Sequence, residues 1–135
     1  MMADRLKYPD PDAALSVLEK IGVDPKSRDL DCQDFEYTTC EVAELDKYVE
    51  LYERSDTSIY EKRVLGCYIM ETLNDFVSAE QRPHHLQDKA FEYLYSDYQI
   101  HQPEIEKRTD IEGRTEDLWW PIAKYLIAWQ KDNTQ

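Results

Sequence analysis

The sequence contains little glycine and few cysteines, and these shortages exclude several kinds of site. Three glycines in 135 residues leave almost no material for a glycine-rich phosphate-binding loop, and the common nucleotide-binding and hydrolase motifs are absent. The cysteines, Cys32, Cys40 and Cys67, lack the C-x-x-C spacing of a zinc or redox site. We therefore expect three free thiols and assign no cofactor.

Long hydrophobic runs are also missing. The longest apolar stretch, residues 64–70, is far shorter than the roughly 20 residues that a membrane-spanning helix needs. Residues 1–10 contain no apolar core of a signal peptide. These features predict a soluble protein that stays in the cytoplasm and does not enter a membrane.

Positive charge is scarce as well. Asp and Glu number 29 against 16 Lys and Arg, which gives a formal net charge of −13. Nucleic acids and anionic membranes are bound through clustered cations, so this excess of acids argues against both as partners. The composition favours a cationic partner instead.

What the sequence does contain is a series of helix start and stop signals. Asp10 before Pro11 is typical of a helix N-terminus, and the helix that follows should end at Gly22. The two capping-box patterns, Thr38-x-x-Glu41 and Ser58-x-x-Glu61, predict the starts of a second and a third helix. The third carries an unusually broad apolar surface, which indicates packing on more than one side.

Two further helices complete the predicted fold. A fourth helix should follow Pro83 and end before Pro103, and a fifth should start near Thr115 and run towards Lys131. The fold class is therefore all-α: a compact bundle of about five helices, in a single domain over residues 1–135, with a long acidic loop between helices one and two.

The predicted fifth helix is apolar on nearly all sides. Between Leu118 and Trp129 its only ionisable side chains are Lys124 and Tyr125. Such a helix is either wrapped by the others or forms an interface between copies of the chain, in which Trp119 and Trp120 would anchor a homodimer. Pro121 fits if the regular helix begins there, and otherwise it should kink the segment.

The most distinctive local feature is a run of acids in and after the predicted loop at residues 23–37. From Asp29 to Asp46 the chain has seven acidic residues and neither lysine nor arginine. Aromatic side chains lie among these acids, and rigid aromatics in an acidic field suit the capture of a basic protein. The candidate partner-binding residues are Asp29, Asp31, Asp34, Phe35, Glu36, Tyr37, Glu41 and Glu44. The alternative is a solvated loop with both aromatic rings folded back inside.

Metal and catalytic sites find less support. His84 and His85 would point about 100° apart on a helix, and Pro103 interrupts the helical spacing that His101 and Glu104 would need to bind one ion. We assign no catalytic residue and no metal ligand. Tyr95 and Tyr98 suit a core boundary or a binding face equally well.

In size, charge and helicity the chain resembles bacterial immunity proteins, which protect a cell by covering a cationic toxin, often a nuclease. The resemblance assigns no individual residue. It implies a small acidic cytoplasmic protein, not an enzyme, that recognises a basic protein and neutralises it. Two alternatives remain open: a helical metal-dependent enzyme using His101 and carboxylates, and an oligomeric regulatory or scaffold subunit built on the tryptophan-rich helix.

Overall fold

The computed structural model describes residues 6–133, and this part of the chain is all-helical, without a β-strand. The first five residues of the segment predicted to lack a signal core lie outside the described residues. Within the described part, seven α-helices occur: α1 Pro11–Lys20, α2 Phe35–Thr38, α3 Leu45–Glu53, α4 Ile59–Glu80, α5 Gln87–Ser96, α6 Tyr98–Thr109 and α7 Ala123–Asn133. Short 3-10 turns form at Pro25–Ser27, Val42–Glu44 and Glu116–Leu118. The all-α class is confirmed, with more and shorter helices than predicted.

The chain folds into two compact units, Met1–Thr72 and Leu73–Gln135, and helix α4 contributes to both. The single domain over residues 1–135 stays a prediction. No helix in the described part of the chain is long and apolar enough to cross a membrane.

The first predicted helix is confirmed at both ends. The Asp10 carboxylate accepts a hydrogen bond of 3.0 Å from the backbone N–H of Asp12, and Pro11 occupies the first turn. Beyond Lys20 the chain turns at Gly22, whose φ of +84° is in the left-handed region that glycine adopts without strain.

The third predicted helix is also confirmed, as α4. Ser58 Oγ accepts a hydrogen bond of 3.1 Å from the Glu61 N–H, and Glu61 Oε1 accepts one of 3.0 Å from the Ser58 N–H, so both halves of the capping box form. Side chains around the whole circumference of α4 are buried, among them Val64, Leu65, Cys67, Tyr68, Ile69 and Leu73. The broad apolar surface therefore packs on more than one side.

The predicted helix start at Thr38 is wrong. Thr38 is the last residue of the single-turn helix α2, and the next regular helix, α3, begins only at Leu45. The groups of the expected capping box bond elsewhere: the Glu41 N–H donates to Tyr48 Oη at 3.0 Å, and Thr38 Oγ1 donates to the Asp34 carbonyl at 3.4 Å. A tertiary contact thus replaces the local one.

In the second unit, the fourth predicted helix ends before Pro103, as expected, but Pro103 itself lies inside a further helix that the sequence did not predict. Helix α5 ends at Ser96, but α6 starts at Tyr98 and continues through Pro103 to Thr109. Proline removes one backbone hydrogen bond from a helix. Buried side chains on both sides of Pro103 hold this helix in place: His101, Glu104, Ile105 and Arg108.

The fifth predicted helix is shorter than expected. Regular helix α7 begins at Ala123, just after Pro121, in agreement with the reading in which the proline marks its start. Only part of α7 is buried, and Leu118, before the helix, is 65% exposed. The Asn74 side chain fixes the start of the helix by accepting a hydrogen bond of 3.1 Å from the Ile122 N–H. Helix α7 packs against α6.

Candidate acidic partner-binding site

The eight candidate residues differ in their exposure. Asp29, Asp31 and Asp34 are exposed, and Glu41 is exposed but lies beside a cation. Glu36 and Tyr37 are partly exposed. In contrast, Phe35 and Glu44 are buried, with 5% and 9% of their surface exposed.

The three exposed aspartates lie on a short, ordered stretch of the first unit. Asp24 caps the 3-10 turn Pro25–Ser27, because its carboxylate accepts a hydrogen bond of 3.0 Å from the Lys26 N–H. Asp29 Oδ1 then accepts a bond of 3.1 Å from the Asp31 N–H, which folds the backbone back on itself. Such local bonds hold the loop without a regular helix.

Within residues 6–133, none of these three aspartates forms an ion pair with a lysine or arginine. Asp34 stands just before helix α2 but makes no side-chain bond to the helix N-terminus. Their charge is therefore directed to solvent.

An open groove of about 590 Å³ lies beside this stretch. Its apolar lining comes from Leu15, Pro25 and Leu30, and Asp29 and Asp31 border it. Leu15 is one of the few large hydrophobic side chains in the described chain that is substantially exposed, at 41%. Lys26 and Arg28 also border the groove, so its rim carries both signs of charge.

The last two candidate glutamates belong to a separate, structural cluster around Arg28. Its guanidinium donates to both carboxylate oxygens of Glu44, at 3.1 Å and 2.8 Å, and to the Thr39 carbonyl at 2.7 Å. Glu41 lies 3.5 Å from the same guanidinium. Tyr48 Oη donates to Glu44 at 2.7 Å and completes the cluster. Arg28 thus ties the loop to the turn before helix α3.

The ionisation of this cluster follows from its contacts. Burial alone would raise the pKa of Glu44, but hydrogen bonds from Arg28 and Tyr48 and the charge of Arg28 lower it below its ordinary value. The hydrogen bond to Glu44 raises the pKa of Arg28, and burial raises that of Tyr48. Glu44 therefore remains a carboxylate at neutral pH and is paired inside the molecule.

The expectation that Phe35 and Glu44 face a partner does not agree with their positions. Helix α2 turns the Phe35 ring into the first unit, and Thr39 Oγ1 holds the end of this helix by bonding to the Phe35 carbonyl at 2.6 Å. Thr39 Oγ1 also lies 2.6 Å from Tyr68 Oη of α4. The exposed candidates that form no ion pair within residues 6–133 are therefore Asp29, Asp31 and Asp34.

Two residues of this region did not emerge from the sequence. Arg28 stands one position before the acid run and pairs with two of its members. Leu15 lies on α1 outside its buried face and remains exposed. The sequence carried no local signal for Arg28, because its partners Glu41 and Glu44 follow it by 13 and 16 residues.

The histidines and carboxylates of residues 6–133 include no group of three or more side chains arranged to hold a metal ion. His101 and Glu104 lie one turn apart on α6, because the helix continues through Pro103, and both are buried. Glu104 accepts a hydrogen bond of 2.9 Å from Arg108 Nε. Cys32, Cys40 and Cys67 are free thiols, as expected.

Comparisons with known proteins identify no relative: no protein-family model, no curated protein and no solved structure matches this chain.

Proposed function

We propose that this protein is an acidic binding protein that recognises a basic protein partner through Asp29, Asp31 and Asp34. The observation that carries the proposal is the exposure of these three carboxylates, of which Asp29 and Asp31 border an open groove with an apolar lining. A basic side chain of the partner would meet the aspartates, while an apolar side chain rests on Leu15 and Leu30. Glu36 and Tyr37 follow Asp34 in the chain and are partly exposed, and the exposed Glu41 lies beside Arg28.

The net charge of −13 supports the same proposal over longer distances. A strongly acidic protein attracts a basic one before contact, which raises the association rate and makes it fall steeply with salt. The resemblance to immunity proteins gives the narrower form of the proposal, in which the partner is a cationic toxin in the cytoplasm and binding covers its active surface.

The test compares two variants that lose the same charge. In the site variant, Asp29, Asp31 and Asp34 are changed together to Asn; in the control variant, the exposed Glu80, Glu92 and Glu112 are changed together to Gln. The immobilised proteins capture partners from cells at low and high salt, and the association rate of each captured protein is then measured. We expect the site variant to associate more than tenfold more slowly than the wild type. The control variant should associate only slightly more slowly, because it loses net charge but keeps the site.

Equal rates for the two variants would contradict the proposal, because net charge alone would then explain the attraction. If the captured partner is an enzyme, its activity in the presence of one equivalent of the wild-type protein tests the narrower form. An unchanged activity would leave binding without inhibition.

A second function, assembly of copies of this chain, is favoured by one observation. Leu118 is 65% exposed and precedes the partly exposed Trp119 and Trp120. Trp120 also stacks on Arg108, at 4.3 Å from the ring centroid, so Trp119 and Leu118 offer more free apolar surface. A homodimer that forms with rising concentration in light scattering, and that Leu118→Ser weakens, would support this role.

A further inference from the structure

A second concave site lies in the second unit and is independent of the acidic segment. Tyr95 of α5, Tyr98 of α6 and Trp129 of α7 line a pocket of about 470 Å³, together with the amide side chains of Gln130 and Asn133. This volume is within the range of pockets that bind small molecules. Neither the proposed function nor the predicted partner surface uses these residues.

The aromatic rings of the pocket are held by their neighbours. The rings of Tyr95 and Tyr98 are nearly parallel, at an interplanar angle of 16° and a centroid distance of 6.3 Å. Trp129 meets the buried ring of Phe91 edge to face, with centroids 5.8 Å apart. The pocket therefore exists before a ligand arrives.

The polar groups of the pocket favour a cation over an anion. Neither lysine nor arginine is among its lining residues, whereas the pKa of the Tyr98 hydroxyl is raised by burial and by its interaction with the Glu106 carboxylate. Burial raises the pKa of Tyr95 to about 12, so this ring is uncharged at neutral pH. Its hydroxyl lies 3.5 Å from the Leu126 carbonyl and also bonds with Gln130.

The spacing of the rings also limits which kinds of ligand fit the pocket. A planar ring inserted between Tyr95 and Tyr98 would need roughly 7 Å between them, because carbon atoms in contact are about 3.5 Å apart. A cation instead gains from tyrosine and tryptophan rings when it lies within about 6 Å of their centroids. A primary ammonium brings three N–H donors that need acceptors, and the amides of Gln130 and Asn133 offer one carbonyl oxygen each, whereas a quaternary ammonium has no N–H donor to satisfy.

We propose that the pocket formed by Tyr95, Tyr98 and Trp129 binds a quaternary ammonium group, held by the three aromatic rings and attracted by the nearby Glu106. The group belongs either to a free small molecule or to the headgroup of a lipid. Binding of this ligand does not depend on the basic partner proposed above.

The experiment compares choline with 3,3-dimethylbutan-1-ol, which has the same shape but a carbon atom in place of the charged nitrogen. Binding to the full chain is followed by nuclear magnetic resonance, through the indole N–H signals of the three tryptophans. We expect choline to shift the Trp129 signal in a saturable manner and to bind about tenfold more tightly than its neutral analogue. Equal affinity for the two compounds, or no saturable shift, would overturn the proposal.

Matched variants separate the pocket from the rest of the protein. Tyr98→Leu should weaken choline binding at least fivefold, and Tyr98→Phe, which keeps the ring, should weaken it less than twofold. Tyr125→Leu removes a tyrosine of α7 that does not line the pocket, and it should leave the affinity unchanged. Equal losses in Tyr98→Leu and Tyr125→Leu would contradict the assigned site.

Vesicles of phosphatidylcholine identify the source of the group. Cosedimentation that free choline abolishes indicates a lipid headgroup, and choline binding without cosedimentation indicates a free small molecule. Each of these results supports the quaternary ammonium site, provided that Tyr98→Leu weakens the binding at least fivefold. The acidic variants of the first unit should bind choline normally, so a failure of the partner proposal does not affect this result.

Discussion

Five of the seven acids between Asp29 and Asp46 form two groups that face different surroundings. Asp29, Asp31 and Asp34 are exposed, and no lysine or arginine of residues 6–133 pairs with them. Glu41 and Glu44 come later in the same run and both interact with Arg28, Glu44 through two hydrogen bonds. One arginine thus takes two of the seven acids of the run into a structural connection, and the density of acids along a chain does not by itself define a binding site.

The second unit contains another buried ion pair, which differs from the Arg28–Glu44 pair in its exposure to water. Arg108 is fully buried, bonds to Glu104 at 2.9 Å and stacks on Trp120. Its guanidinium is therefore more shielded from water than that of Arg28, whose side chain is 13% exposed. The loss of stability should therefore be larger when Arg108 is replaced than when Arg28 is replaced.

The largest effect is expected for Arg108→Met. The change removes the Arg108 partner of the buried Glu104 carboxylate, and breaking such a pair costs about 3–5 kcal/mol of the free energy of unfolding. Urea denaturation followed by circular dichroism measures the loss. The double variant Glu104→Gln with Arg108→Met should recover part of it, and a double variant less stable than Arg108→Met would contradict this explanation.

A smaller loss is expected for Arg28→Met. Glu44 would lose two hydrogen bonds to a charged donor, which corresponds to about 2–3 kcal/mol in the same measurement. The control Arg28→Lys keeps the charge but cannot form the two parallel hydrogen bonds to Glu44. It should therefore lose about half as much unfolding free energy as Arg28→Met. If both variants are as stable as the wild type, Arg28 does not hold the loop.

Acidification should weaken the first unit through Glu44. The folded-state pKa of Glu44 is lowered, so its contribution to stability is complete above the ordinary pKa of glutamate and disappears as the pH falls through the lowered value. Glu61 has a lowered pKa too, because hydrogen bonds from Lys20, Ser58 and Ser16 outweigh its burial. In denaturation experiments at a series of acidic pH values, the free energy of unfolding should depend less on pH in Glu44→Gln than in the wild type. An unchanged dependence on pH would contradict this assignment.

The smallest effect on stability is expected for Asp31→Asn. This side chain is exposed and unpaired within residues 6–133, and such substitutions change the free energy of unfolding by less than about 0.5 kcal/mol. The variant should nevertheless lower the association rate with the captured partner. A loss of stability comparable to that of Arg28→Met would remove the distinction between the two groups of acids.

Two identical patterns show how far local sequence carries the fold. Ser58-x-x-Glu61 forms a capping box with both hydrogen bonds, as predicted, whereas Thr38-x-x-Glu41 forms neither. In the second case, Tyr48 takes the N–H of Glu41 and Arg28 attracts its carboxylate. The same motif therefore predicts a helix start only where no distant side chain offers its groups a better partner.

The sequence alone determined the helical class, the boundaries of α1 and the start of α4, because these depend on groups three or four residues apart. It also identified the acid run and predicted the free thiols. Tertiary structure decided which acids face solvent, the inward position of Phe35, and the burial of Arg108 beside Pro103. These outcomes depend on contacts such as that between Arg28 and Glu44, which are 16 residues apart. Packing brings such groups together, and the local periodicity of the sequence does not predict contacts between residues so far apart.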